Sequence, residues 1–423
     1  MIVPTLGMVA RAAAKTDHDW YGATTLHPFG VAAVVGLGAW LIAASRKRAL
    51  FPLMIMLCFV PSAQRIVILG ADFTLLRIMV LIGLFRVVAF GELRTVRFGL
   101  NDLLFCLWAV VGGSVYVFQQ GDFGGVVYVC GTAIDMFGAY FVARSLIRTR
   151  ADFRMFVQIA AMSALPVSLF FFIEMLTQRN LFSFLGGVPE ITKVRDGRLR
   201  CQGAFSHPIL AGVFWASLLP LFAGAFLAKH KRILHGAACG SALLIIVACA
   251  SSTPVLGFGC AILFWAAWPA RRLMRYVFIA APFVLVFLHL AMKAPVWHLV
   301  SRVTAVGGST GHHRFVLIDE AINHINEWWL VGTPWTGHWS EYYQTWDITN
   351  QYIYEGVRGG IWRLFLFLAL VFVSARSIAR AQKAAPTKGD LFTLWGLGGS
   401  LFVHCACFIG VSYFGQITYL WYI

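Results

Sequence analysis

The chain has 423 residues, of which 59% are hydrophobic and only 12% are charged, and its formal net charge is +16. A soluble domain carries about 25% charged residues, so this composition excludes an ordinary soluble protein. The positive charge is dispersed over short loops, which argues against nucleic-acid binding. Apolar runs of roughly 18 residues recur along the chain and predict an all-α polytopic membrane protein.

Twelve membrane spans are predicted from these apolar runs. In chain order they lie near 28–45, 49–64, 72–91, 101–118, 124–143, 155–175, 207–228, 233–250, 254–270, 276–294, 361–376 and 391–412. The second run is short and is interrupted by Pro61. Residues 1–27 are mixed in character and are expected to lie at the membrane surface. The whole chain, 1–423, is interpreted as a single integral membrane domain.

Basic residues mark one face of the membrane. Arginine and lysine gather in alternate connections, such as residues 46–48, 229–232 and 271–275. Short basic loops stay on the cytoplasmic side, so these connections define the inner face. Both termini and two long loops, 176–206 and 295–360, are then expected on the outer side.

Three arginines are expected on the outer face, where basic residues are disfavoured. Arg198 and Arg200 stand in the first long loop, and Arg314 stands in the second. A guanidinium offers a planar fork of donors that suits phosphate oxygens, so the set is interpreted as an anion site. The alternative for each arginine is an ion pair with a carboxylate near it in sequence: Glu190, Asp196, Asp319 or Glu320.

A His-Pro step stands at the outer end of the seventh span. Proline is tolerated in the first helical turn, so Pro208 is expected to begin this span. His207 would then lie at or next to the N-cap. It either caps the helix or helps Arg200 to hold an anionic headgroup at the positive helix end.

The loop 295–360 contains a predicted amphipathic helix along the outer membrane surface. Apolar side chains recur there at three- and four-residue spacing: Phe315, Ile318, Ala321, Ile322 and Ile325. The Gly-Thr-Pro step at 332–334 is expected to end it. The tryptophans of this loop are interpreted as an interfacial belt, except Trp335 and Trp339, which are expected to cover apolar faces of sugars.

Four charged residues fall inside predicted spans. Arg77 and Asp135 lie deep, where they either pair with each other or Arg77 reaches an internal cavity. Arg86 and Glu174 lie near span ends and are expected to snorkel to the interface. The apolar runs also hold two histidines that are expected to be hydrogen-bonded core residues: His289 and His404.

The nine cysteines do not suggest a disulfide framework. Eight fall in predicted spans and Cys201 stands alone in an outer loop, so small buried hydrophobes are the expectation. Cys405 and Cys407 have no ligand cluster near them, so no metal site is predicted.

An ordered set of motifs covers roughly residues 195 to 365. Arg200 and a Gly-x-Phe-x-His-Pro motif open the seventh span, and Ser252-Thr253 stands at the outer end of a later helix. The second long loop then reads Gly-x-x-Arg, Pro-x-x-Gly, Asn-x-Tyr and Glu-Gly, on Gly311, Arg314, Pro334, Gly337, Asn350, Tyr352, Glu355 and Gly356. In order, side of the membrane and loop length, this set resembles the bacterial O-antigen ligase and polysaccharide polymerase superfamily.

The resemblance implies glycosyl transfer at the periplasmic face of the bacterial inner membrane. The donor would be an undecaprenyl-diphosphate-linked oligosaccharide, with no metal or cofactor, and a flippase and a chain-length regulator would be candidate partners. Arg200 and Arg314 would hold the diphosphate, whose negative charge grows as the glycosidic bond breaks. The further substrate-binding candidates are Arg198, His207, Trp335, Asn350 and Tyr352.

The base that would activate the acceptor hydroxyl is left open. Ligases of the family usually carry a histidine directly before the Asn of the second long loop, where this chain has Thr349. The candidates are His338, Asp347 and Glu355. This departure favours a polymerase that joins repeat units of an exopolysaccharide or O-antigen. The alternatives are a ligase that moves the glycan to a lipid or protein acceptor, and a membrane transporter of a small anion.

Overall fold

Helices fill most of the chain in the computed structural model, which describes residues 23–302 and 310–423. Most of the predicted surface segment 1–27 therefore lies outside the described residues, as does 303–309 of the second long loop. The α-helices are α1 (Pro28–Ala43), α2 (Leu50–Phe59), α3 (Leu75–Ala89), α4 (Leu100–Gln120), α5 (Phe123–Leu146), α6 (Arg150–Thr177), α7 (Pro208–Leu227), α8 (Arg232–Ala248), α9 (Ser252–Ala266), α10 (Met274–Ala291), α11 (Thr310–Asn323), α12 (Ile325–Trp328), α13 (Gln351–Lys383), α14 (Lys388–Cys407) and α15 (Gln416–Tyr422).

Five helices are long and apolar enough to cross a membrane: α4, α5, α6, α7 and α13. The chain is therefore a helical protein with several candidate membrane spans. A helix occupies each of the twelve predicted segments, but several are short. The second, α2, has 10 residues, which rise about 15 Å against a hydrocarbon core of about 30 Å. The number of twelve spans stays a prediction.

Two short antiparallel hairpins correct the expectation of a purely helical chain. Strands β1 (Arg65–Ile68) and β2 (Ala71–Thr74) pair with each other, as do β3 (Val194–Arg195) and β4 (Arg198–Leu199). Each pair is joined by two residues with positive φ, Leu69-Gly70 in the first hairpin and Asp196-Gly197 in the second. Positive φ at both central residues is the turn that matches the twist of paired strands. The Asp-Gly step was a readable signal for the second hairpin.

The chain divides into two compact units, each described here by itself. The first contains residues 23–96, Cys130–Ala211 and Phe414–Ile423. The second contains Arg97–Val129 and the described residues of Gly212–Tyr413. Helices α5 and α7 pass from one unit to the other.

Helix α13 is broken at Gly360, one residue before the predicted start of the eleventh span. Gly360 has φ 70 and ψ −177, and a Cβ there would lie 2.3 Å from the carbonyl oxygen of Leu330. Only glycine combines this φ with so close a backbone approach. Residues 351–359 of the predicted outer loop are therefore already helical.

A helix, α11, lies in the segment of the predicted amphipathic helix, but the predicted end is wrong, and its place on the outer membrane surface stays a prediction. It stops at Asn323, and the 4-residue helix α12 follows before Gly332. Its apolar positions include Ala321, which packs in a buried cluster of the second unit with Trp328 and Val357.

The four charged residues of the predicted spans are all held by partners within the first unit. Arg77 and Asp135 form the predicted ion pair, with Nη2 2.7 Å from Oδ2. The snorkelling expectation for Arg86 and Glu174 is wrong, because both are buried. Arg86 binds Glu92 and three carbonyl oxygens at the end of α1.

The two histidines of the apolar runs differ. His404 is buried and its Nδ1 lies 2.8 Å from the hydroxyl of Tyr413, as expected for a core histidine. His289 is exposed on α10, where its Nδ1 accepts a hydrogen bond from the backbone of Val296, so the expectation of a core position is wrong. A histidine near a helix end can form a hydrogen bond with the backbone that follows the helix, so it needs no partner in the core.

Candidate functional site

In the first unit, the loop before α7 is fixed by the buried carboxylate of Glu174. Its two oxygens accept the backbone N–H groups of Gln202 at 3.2 Å and Gly203 at 3.0 Å. The hydroxyl of Thr192 donates a third bond at 3.0 Å. A buried charge is tolerated when hydrogen bonds compensate it. Glu174 therefore anchors the loop that carries Arg200 and His207.

Gly203 explains why the Gly-x-Phe-x-His-Pro motif begins with glycine. Its φ is +57, and a Cβ would lie 2.5 Å from the ring of Phe171. Its carbonyl oxygen accepts a bond of 2.8 Å from the side chain of Asn180. The loop can therefore pack against α6 only with glycine at this position.

His207 caps α7, as predicted, and Pro208 is the first residue of the helix. The Nδ1 atom of His207 accepts the backbone N–H of Ile209 at 3.1 Å. Burial, reinforced by the positive charges of Arg200 and Lys193, lowers the pKa of His207 to about 3. The imidazole is therefore neutral at physiological pH, with Nδ1 as an acceptor and the proton on Nε2.

Cations surround this cap. The hairpin β3–β4 and its flanks carry Lys193, Arg195 and Arg198, all exposed, and then Arg200, which is half-buried. Glu190 pairs outside the hairpin, 3.2 Å from Arg179, whereas Asp196 lies 3.9 Å from Arg195 of the hairpin itself, so the hairpin and its flanks keep a net positive charge. The hairpin thus presents a positive surface beside the amide end of a helix, which is suited to an anion.

The neutral histidine predicts a pH dependence of stability. The unfolded chain binds a proton at His207 below pH of about 6.5, while the folded chain resists it until about pH 3. Because the unfolded state binds more protons in this window, the free energy of unfolding should fall as the pH falls, by up to about 2 kcal/mol at pH 5. Unfolding in detergent at pH 7.5 and 5 measures the change.

His207→Asn keeps a capping side chain and should remove this part of the pH dependence, whereas His230→Asn, on an exposed histidine, should not. An unchanged slope in His207→Asn would contradict the prediction.

In the second unit, Arg314 is buried and lies against the first turn of α9. Its Nη2 donates to the hydroxyl oxygen of Thr253 at 2.8 Å, and that hydroxyl lies 3.3 Å from the carbonyl oxygen of Gly410. A Cβ at Gly410 would lie 3.2 Å from the Arg314 guanidinium carbon. Arg314 and the Ser252-Thr253 pair, both singled out by their motifs, therefore come together at a helix N-terminus.

Gly410 belongs to a turn, residues 408–410, that also contacts the start of α13. Asn350 caps that helix by accepting the N–H of Ile353 at 3.2 Å, and its amide donates to the carbonyl oxygen of Ile409 at 3.2 Å. Asp347 is exposed. Burial lowers the pKa of His313, and the negative charge of Asp347 opposes that shift. Arg314 and Asn350 thus lie at the same turn, and Asp347 is an exposed carboxylate three residues before Asn350.

Glu355 and Tyr352 serve packing within the second unit. The hydroxyl of Tyr352 donates to the carbonyl oxygen of Cys405 at 2.9 Å. Glu355 is fully buried, with Arg363 at 2.7 Å, the indole N–H of Trp108 at 2.8 Å and the amide of Gln351 at 2.6 Å. A carboxylate held by three donors is a poor base, so this geometry weighs against Glu355 as the group that activates an acceptor.

His338 belongs to a dyad on the loop after α12. Its Nε2 lies 2.9 Å from a carboxylate oxygen of Glu327, which also accepts the indole N–H of Trp339 at 2.9 Å. The Trp339 bond and the His338 bond lower the pKa of Glu327. A carboxylate that orients an imidazole is the usual support of a histidine base. Sequence reasoning missed Glu327, because it lies eleven residues before His338 on a separate element.

The two tryptophans expected to bind sugar differ. Trp335 is 60% exposed and its ring lies against the backbone of Gly337. Trp339 is buried and stacks on His324 with ring centroids 5.3 Å apart, so the sugar-binding expectation for Trp339 is wrong. Its hydrogen bond to Glu327 gives it a structural role instead.

No family model matches the chain, and no curated protein matches it. Within residues 23–302 and 310–423, no group of three or more His, Cys, Asp or Glu side chains could hold a metal ion.

Proposed function

We propose that the protein is a membrane glycosyltransferase that polymerises lipid-linked repeat units of an exopolysaccharide or O-antigen. The donor is an undecaprenyl-diphosphate-linked oligosaccharide, and the reaction takes place on the periplasmic side of a bacterial inner membrane. The twelve-span topology and the two long outer loops are parts of this proposal. The observation that carries it is the convergence of Arg314, Thr253 and Asn350 at the turn that contains Ile409 and Gly410.

The chemistry follows from charge. As the bond between the anomeric carbon and the diphosphate breaks, negative charge builds up on the leaving oxygens. The guanidinium of Arg314 and the helix amides stabilise that charge most in the transition state. In the first unit, Arg200, Arg198 and the capped end of α7 form a second positive surface for the same class of anion.

The acceptor hydroxyl attacks the anomeric carbon and loses its proton to a base. Asp347 is the first candidate, because it is exposed and its charge acts on His313, the residue next to Arg314 in the sequence. His338 is the second candidate, and Trp335 beside it offers an exposed aromatic face to a sugar. The histidine dyad also supports the alternative function, a ligase, since ligases of the resembled family usually carry a histidine in this loop, directly before its Asn.

A deletion strain separates the two reactions. If the protein is the polymerase, its loss should remove long glycan chains from the surface and leave single repeat units. A ligase defect should instead leave long chains attached to their lipid carrier. Gel analysis of surface glycan and of the lipid extract measures both, with the plasmid-borne gene as the control. Unchanged glycan in both fractions would contradict the proposal.

A further inference from the structure

A large apolar cavity lies at the basic ends of the helices of the second unit. Its volume is about 960 Å³, and it is lined from α7, α8, α9, the segment after α9, and α14. The largest lining side chains are aromatic: Phe226, Trp265, Trp268 and Phe392. This volume is at the upper end of the range for small-molecule sites, about 300–1,000 Å³.

Three of the four lining aromatic rings carry a cation over their face. The guanidinium carbon of Arg232 lies 4.6 Å from the centre of the Phe226 ring, and that of Arg271 lies 4.5 Å from the Trp268 ring. The ammonium nitrogen of Lys388 lies 5.6 Å from the Phe392 ring. Cations at such distances are attracted to the ring and are held in place by it. The apolar lining therefore continues into a positively charged rim.

The rim has a large excess of positive charge. Residues 226–236, 261–275 and 387–393 contain seven Lys and Arg residues but a single carboxylate, Asp390. Asp390 is engaged with Thr387, whose hydroxyl lies 2.8 Å from it. A ligand at this rim is therefore expected to be anionic.

We propose that this cavity binds an anionic phospholipid. One acyl chain occupies the aromatic interior, and the phosphate lies among Arg232, Arg271 and Lys388. Arginine binds phosphate oxygens with two parallel hydrogen bonds. Basic pockets between helices on the cytoplasmic side are typical sites for anionic lipid headgroups, and basic loops define that side here.

The site is separate from the proposed catalytic site. Thr253 lies in the first turn of α9, whereas Trp265 and Ala266 lie in its last turn. Twelve residues of helix separate Thr253 and Trp265 by about 18 Å. The proposed lipid site can therefore be tested independently of the proposed glycosyl transfer.

Native mass spectrometry of the full chain tests the proposal. The protein is released from micelles that contain phosphatidylglycerol and phosphatidylcholine at equal concentration. Each rim cation is worth about fivefold in affinity for an anionic lipid, so phosphatidylglycerol should be retained about tenfold or more over phosphatidylcholine. Equal retention of both lipids by the wild-type protein would overturn the proposal.

Variants of the rim cations test the contribution of the lipid headgroup separately from that of the acyl chain. Arg232→Gln, Arg271→Gln and Lys388→Gln combined should reduce the preference at least several-fold, because these three cations are the ones placed against the phosphate. A matched control neutralises three exposed arginines at other positions, Arg48→Gln, Arg94→Gln and Arg380→Gln, and should keep the preference. Loss of preference in the control as well would mean a general surface effect and would overturn the site.

The cavity itself is tested by filling it. Ala266→Phe places a ring inside and should lower retention of both lipids several-fold, while Ala281→Phe, on the exposed face of α10, should not. Folding of every variant is checked by gel filtration. If Ala266→Phe folds and retains both lipids as the wild-type protein does, the acyl chain is not in this cavity and the proposal fails.

Discussion

Replacing Arg314 with alanine is expected to abolish polymer synthesis while the protein stays folded in the membrane. The guanidinium is buried and held by Thr253 at 2.8 Å, so it is positioned before substrate arrives. Removing one such preorganised donor typically lowers a rate about 10²–10³-fold, or about 2.7–4 kcal/mol of transition-state stabilisation. Complementation of the deletion strain, followed by gel analysis of surface glycan, measures the loss.

Three further variants make the result specific. Arg314→Lys should restore little polymer, because an ammonium cannot bind two oxygens in the planar geometry of a guanidinium. Thr253→Val removes only the hydroxyl that orients Arg314 and should have a smaller effect. Arg358→Ala changes a half-buried arginine of the same unit, which donates to the carbonyl oxygen of Pro334, and should leave polymer synthesis largely unchanged. Normal polymer in Arg314→Ala would leave the anion site without support.

Local signals in the sequence were sufficient for several features. The apolar runs predicted where helices lie, since burial and backbone hydrogen bonding both favour helices in lipid. Pro208 predicted the first residue of α7, because proline has a defined place in the first turn. The pair Arg77–Asp135 could be proposed because two deep charges have few other ways to be compensated.

Other features depend on partners far away in sequence. Glu174 near a span end suggested snorkelling, but its partners are backbone N–H groups 28 and 29 residues later. Trp108 meets Glu355 across 247 residues. Motif order brought Arg314 and Thr253 into one hypothesis, whereas only coordinates show the bond between them. Trp339 looked like a sugar-binding ring because its burial has no sequence signal.

Replacing Glu355 is expected to have a large effect on the free energy of unfolding. Its carboxylate and Arg363 lie on opposite sides of the helix break at Gly360, and both are largely removed from water. Glu355→Ala or Arg363→Ala leaves one buried charge without its partner, which typically costs about 3–5 kcal/mol. Denaturant titration in detergent, followed by the retained helical signal, measures the loss. Glu341→Ala, on an exposed glutamate of the same unit, is the matched control and should be neutral.

The double variant decides what this ion pair is for. Glu355→Leu combined with Arg363→Met removes both charges, so most of the stability lost in each single variant should return, since a buried pair is often replaceable by apolar side chains. If the pair only fixes the broken helix, the double variant should also make polymer. A double variant that is stable but makes no polymer would support Glu355 as the base that activates the acceptor. Single variants as stable as the wild-type protein would contradict the buried ion pair itself, because a desolvated charge cannot lose its partner without a large cost.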